Sequence, residues 1–164
     1  MLRLKVNNRM KFYTSYFYQL RFFKPYQIPF STAIWDPKWF HNFQDQSHVW
    51  KDKNGVWNGI RLEMLNPKSC SAPSCCPCSE RYYQSCEFLR GYRLGLSRID
   101  FSSLISFVSS VAEFIKKEEG FSEEPEIILL VHESPENPCS ERVPIQELFR
   151  VHGIEVYEWE KGNN

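Results

Sequence analysis

The chain has 164 residues, with 20 basic and 20 acidic side chains, 42% hydrophobic residues and 16% aromatics. A chain of this size hides roughly 70% of the surface its unfolded form exposes, which supports one domain without disulfides or metal and excludes collagen-like, coiled-coil and wholly disordered classes. No run approaches the roughly 18 apolar residues of a membrane span, and residues 1–10 lack the apolar block of a secretory leader, so a cytoplasmic protein with no membrane partner is expected.

The zero net charge conceals a division. Residues 1–95 hold 14 Lys/Arg and 6 Asp/Glu, a balance of +8, whereas residues 96–164 hold 6 and 14, a balance of −8. Such polarity either docks a basic face on an acidic one or leaves a basic surface open to phosphates.

Residues 1–9 have no clear periodicity and read as an extension ahead of Met10, or as a misassigned start, leaving residues 10–164 as a single α/β domain with a cysteine-rich insertion near 36–95. Residues 11–17 (KFYTSYF) are aromatic and β-branched, as a first strand requires, and residues 27–35 read as a second. Pro29 lacks a ladder donor, which predicts a strand start or an edge. From Asp36 to Pro67 the chain is polar and turn-rich, a long irregular excursion carrying Trp39, Phe40, Phe43, Trp50 and Trp57. Those aromatics serve either as buried anchors or as stacking surfaces for bases.

A helix is predicted from Ser79 to about Leu94, and a clearer one from Asp100 to Glu119. The second has an aspartate N-cap, a stripe at Leu104, Phe107, Val108, Val111 and Ile115, and Gly120 as its stop. The continuous apolar run 127–131 (IILLV) predicts a central strand covered on both faces. After a loop with two prolines, a helix over roughly 141–152 and a strand over 154–159 complete a crossover that predicts parallel neighbours.

In an open parallel sheet, ligands gather beyond the carboxyl ends of strands, near helix N-termini. Residues 132–142 occupy that place. Cys139 directly precedes a helix, whose dipole favours a thiolate, and Arg142 offers a forked cation to an anion. His132 and Glu133 at the strand tip suit acid–base or orienting roles, and Ser15 and Tyr16 at the tip of the first strand are candidates to line the same pocket. Each has a plainer explanation: Cys139 as a buried small hydrophobe, Arg142 paired with Glu141, Glu147 or Glu133 to hold the loop, and His132 capping the sheet.

Five of the six cysteines, Cys70, Cys75, Cys76, Cys78 and Cys86, fall within 17 residues. Thiolates in that number could hold zinc or an iron–sulfur cluster, although no CxxC pair is present; the alternative is an exposed, oxidisable loop. Residues 77–81 (PCSER) recur identically at 138–142, which is either one helix-start device used twice or two Cys-x-x-Arg turns facing one cleft.

Together, Tyr13-Thr14-Ser15-Tyr16-Phe17, Ile28-Pro29-Phe30-Ser31-Thr32-Ala33, Trp39, Leu65-Asn66-Pro67, Leu129-Leu130-Val131-His132-Glu133, Cys139, Arg142 and Gly153-Ile154-Glu155-Val156 make the chain resemble the domain of unknown function 488 family, small intracellular α/β proteins of bacteria and their viruses. The likeness spans about residues 10–160. It departs where that family reads Cys-Tyr-Glu at the strand tip and Cys-His-Arg at the helix start, since His132 replaces the first cysteine and one extra residue separates Cys139 from Arg142. The resemblance implies a small Rossmann-like three-layer fold and supplies no chemistry. Two expectations follow. One is a Cys139/Arg142 pocket for an anionic ligand, a nucleotide or nucleic-acid phosphate. The other is a non-catalytic module that grips nucleic acid or a protein through its aromatic, basic region and a cysteine-held metal.

Overall fold

Ile127 to Val131 are completely buried in the computed structural model, which describes residues 10–42, 57–68, 86–137 and 139–162. They form most of β5 (Glu126–Val131), which pairs with β1 (Lys11–Tyr16) on one side and β2 (Gln27–Ser31) on the other. Outward from these lie β4 (Trp57–Arg61) and β3 (Phe40–Asn42) beyond β2, and β6 (Val156–Glu158) beyond β1. The order is therefore β3-β4-β2-β5-β1-β6, and every pair is parallel. A strand with partners on both sides and cover on both faces has no polar side to present, which is why β5 reads as an unbroken apolar run.

The architecture is the small α/β, Rossmann-like one that the sequence predicts. Strand alternation divides its core in two. Ile127, Leu129 and Val131 face α1 (Glu87–Leu96), α2 (Phe101–Glu119) and α3 (Arg142–Val151), meeting Tyr92, Leu104, Ile115 and Phe149. Ile128 and Leu130 face the other way, onto Phe17, Leu20, Ala33 and Phe40. Each such side chain, fully buried, contributes about 1.5–3 kcal/mol. Among the described residues this second face is covered by the 3-10 turn Phe17–Phe22, not by an α-helix.

The helix over 101–119 is bounded as expected. Asp100 accepts from the Ser103 backbone N–H at 3.2 Å, and Gly120 ends the helix at φ 71°, a conformation glycine adopts without a Cβ penalty. Its buried stripe is wider than predicted: Leu104, Val108 and Ile115 are joined by Phe101, Ile105 and Ala112, while Phe107 is exposed. Pro144 sits in the first turn of α3, where no helical hydrogen bond is lost.

Three expectations are corrected. The 36–67 excursion contains β3, β4 and a 3-10 turn at Glu63–Leu65. These strands escape pattern reading because one has three residues and the other carries Gly59, where an added Cβ would lie 2.6 Å from Phe40 Cε2 and 3.0 Å from the Pro29 carbonyl oxygen. Pro29 lies mid-strand in an interior position; pairing with β4 begins only at Phe30, so no bond to that strand is forfeited. The crossover from β5 does not end beside β5: α3 passes over β1, with the Phe12 and Phe149 rings 5.1 Å apart, and delivers β6 to the far edge. Of the helix expected from Ser79 to about Leu94, the described part is α1, Glu87–Leu96; residues 79–85, like 1–9, lie outside the described residues. No helix among the described residues is long and apolar enough to cross a membrane.

Candidate functional site

The chain leaves β1 across the turn-covered face and leaves β5 across the helical face. Adjacent strands whose connections part in this way leave a crevice beyond their carboxyl ends, the usual ligand position in such sheets. Around it stand Tyr16 at the end of β1 and Phe17 just beyond it, His132 and Glu133 just beyond β5, and the start of α3.

Arg142 is the first residue of α3 and is only 4% exposed. Its Nε donates to Glu158 Oε2 at 3.0 Å, Nη2 to the Glu133 carbonyl at 2.7 Å, and Nη1 to the Ser134 carbonyl at 2.8 Å and Ser140 Oγ at 3.2 Å. The fork is therefore turned inward, bracing the loop from below. The network extends through Thr14, which donates to Glu158 Oε2 at 2.7 Å and accepts from Gln146 Nε2 at 2.7 Å. Loop, α3, β1 and β6 are thus tied together by one buried cation, with Glu158 as its counter-ion.

Two buried carboxyls near that cation, Glu141 and Glu158, are pushed upward, while exposed Glu136 is lowered by its hydrogen bond from Ser134. Burial first, and then the charge and hydrogen bond of Glu133, push the Glu141 carboxyl up to about 8, against the opposing pull of Arg142. Burial also raises Glu158, against its hydrogen bond from Thr14 and the charge of Arg142. Its Oε1 is buried without a hydrogen-bond partner, as is Ser15 Oγ.

The predicted site residues are separated by this geometry. Cys139 is disulfide-bonded, so it presents no thiolate; its backbone N–H donates to Asn137 Oδ1 at 2.9 Å. Disulfides persist in oxidising compartments, so this bond and a cytoplasmic setting pull in opposite directions. His132 and Glu133 do not form a pair: exposed His132 bonds the Trp35 carbonyl oxygen and lies 5.0 Å from the Phe17 ring, while Glu133 turns to Ser140 and Glu141. Ser15 is fully buried, and Tyr16 is half-buried, accepting from Gln19 Nε2 at 3.0 Å. Of the candidate metal ligands, Cys70, Cys75, Cys76 and Cys78 lie outside the described residues. Cys86 is a buried thiol just before α1. No cluster of three or more metal-ligating side chains occurs among the described residues.

A second feature of the crevice was only partly legible. Trp35 is 69% exposed, Tyr18 55% and Trp39 40%. Trp39 packs edge-on against Phe17 at 6.1 Å, Tyr16 stacks on Tyr18 at 6.3 Å, and the Arg21 guanidinium lies 4.0 Å over the Tyr18 ring. Buried Phe17 thus supports Trp39, while Tyr16 and Arg21 flank Tyr18. Aromatic density near a strand end was the available signal, but exposure was not readable from it. Comparison of the chain with protein-family models, curated proteins and solved structures finds no match in any of the three.

Proposed function

We propose that this chain is a binding module for single-stranded nucleic acid, with bases against Trp35, Trp39 and Tyr18 and phosphates near Arg21 and Lys38. The observation that carries this reading is the exposure of three large aromatic rings, Trp35, Tyr18 and Trp39, which adjoin the Tyr16, Phe17 and His132 side chains. Every base has a π face, so such a set of rings is tolerant of sequence, and the +8 balance of residues 1–95 supplies a field that attracts phosphates. The alternative anion pocket of Cys139 and Arg142 has less support, because the guanidinium already donates to four protein oxygens and the sulfur is already bonded.

Fluorescence anisotropy of a labelled oligothymidylate at 50 and 200 mM salt tests the proposal. Binding is expected to weaken with salt, and Trp35→Ala to cost about 1–3 kcal/mol for each base unstacked, with the far-UV spectrum unchanged. Binding that ignores salt and survives both Trp35→Ala and Trp39→Ala would refute it.

A further inference from the structure

We propose that a cavity on the turn-covered face of the sheet, beside the β6 edge, binds an organic cation of the guanidinium or amine class. The cavity measures about 440 Å³ and is lined by Tyr13, Glu126, Tyr157, Glu158, Trp159 and Glu160. Its volume lies in the range of small-molecule sites. This site does not depend on the nucleic-acid reading.

Strand register places Tyr13, Glu126, Tyr157 and Trp159 on this face, whereas Glu158, the partner of Thr14, turns its Oε2 to Arg142 on the other. Tyr13 of β1 is the direct partner of Tyr157 on β6 and of Ile128 on β5, and Glu126, two residues before Ile128, shares that face. Trp159 follows Tyr157 by two residues; its backbone N–H donates to the Thr14 carbonyl at 2.8 Å, and its ring meets Phe23 edge-on at 4.7 Å. Glu126 accepts from Gln27 Nε2 at 2.9 Å, which orients the carboxylate. The absence of an α-helix over this face among the described residues leaves these side chains without the cover that their counterparts on the helical face receive.

The chemistry of the walls selects charge. Three lining residues are aromatic, Glu126 and Glu160 add carboxyls besides that of Glu158, which is already the counter-ion of Arg142, and none of the six is cationic. A planar guanidinium stacks on such rings while donating to carboxylates, a combination that neither an anion nor an apolar ligand can satisfy. The local field agrees: burial and then the Glu126 charge raise the Tyr13 phenol, and Glu160 adds to the upward pressure on Glu158.

The test titrates methylguanidinium chloride into the full chain and follows the Trp159 indole N–H resonance, with N-methylurea as the neutral isostere. A saturable shift in the millimolar range is expected for the cation and none for the urea. Tyr157→Ala, at the exposed edge, and Glu126→Gln are each expected to weaken the cation at least threefold. Glu160→Gln repeats the charge test should Glu126→Gln fail to fold. Equal shifts with both probes, a shift that never saturates, or an affinity unchanged in Tyr157→Ala and in the carboxylate variant would overturn the proposal.

Discussion

Replacing Glu141 by Gln tests whether a buried carboxyl at the foot of the β5–α3 loop holds its proton at neutral pH. In the folded chain this carboxyl is pushed up to about 8, whereas its ordinary value is 4.5. Between those two values the folded state binds a proton that the unfolded state has released, so stability falls as pH rises through that window and levels off above it. One proton gives a slope of at most about 1.4 kcal/mol per pH unit, or about 2.7 kcal/mol between pH 5.5 and 7.5. Glutamine is neutral throughout and can still donate to Glu133, so the variant lacks this slope. Any contribution from Glu158, raised in the same direction, persists in both proteins and cancels in the difference. Urea unfolding at pH 5.5, 6.5 and 7.5 is the assay, with the stability gap between variant and parent moving by about 1–3 kcal/mol in favour of the variant. Parallel pH curves, separated by a gap constant within about 0.5 kcal/mol, would show that Glu141 ionises normally in the fold. Glu133→Gln removes the second-largest cause of the shift, and is expected to lower the pH at which Glu141 titrates without abolishing the slope.

Two further variants probe what the buried polar network and the tight sheet contact contribute. Arg142→Ala leaves Glu158 without its counter-ion and two loop carbonyls without this donor, and a loss of about 3–5 kcal/mol in chemical denaturation is expected; a loss under 1 kcal/mol would show that the guanidinium is dispensable to the loop. Gly59→Ala drives a methyl into the buried Phe40 ring, and a cost of about 1–3 kcal/mol is expected, recovered in part by Gly59→Ala with Phe40→Leu. A neutral effect of Gly59→Ala would mean that β3 and β4 separate more readily than their packing implies.

The candidate site was legible in outline. The loop after β5 could be placed at the sheet's carboxyl edge because an unbroken apolar pentapeptide followed by a capped helix has few other arrangements. The direction of each side chain there was not legible. Arg142 has the same sequence context whether its fork faces solvent or Glu158; the choice rests on where the end of β6 lies, sixteen residues on. His132 and Glu133 are neighbours in the chain, yet contact Trp35 and Ser140 respectively, because consecutive residues leaving a strand point to opposite sides. Glu141 gave no sign of its raised pKa, since desolvation is a property of what surrounds a group and not of the group itself.

Local chemistry in the sequence determined the interior character of β5, the limits of α2 through Asp100 and Gly120, and the alternation of strands and helices that makes a parallel α/β sheet, since capping, periodicity and apolar continuity act over a few residues. Only the tertiary structure decided that β1 separates β5 from β6, that β3 and β4 extend the sheet beyond β2, and which aromatics stay wet. The reason is physical: strand order and exposure are set by long-range packing, where a Phe12 beneath Phe149 or a Gly59 beside Phe40 counts for more than any propensity of the residues themselves.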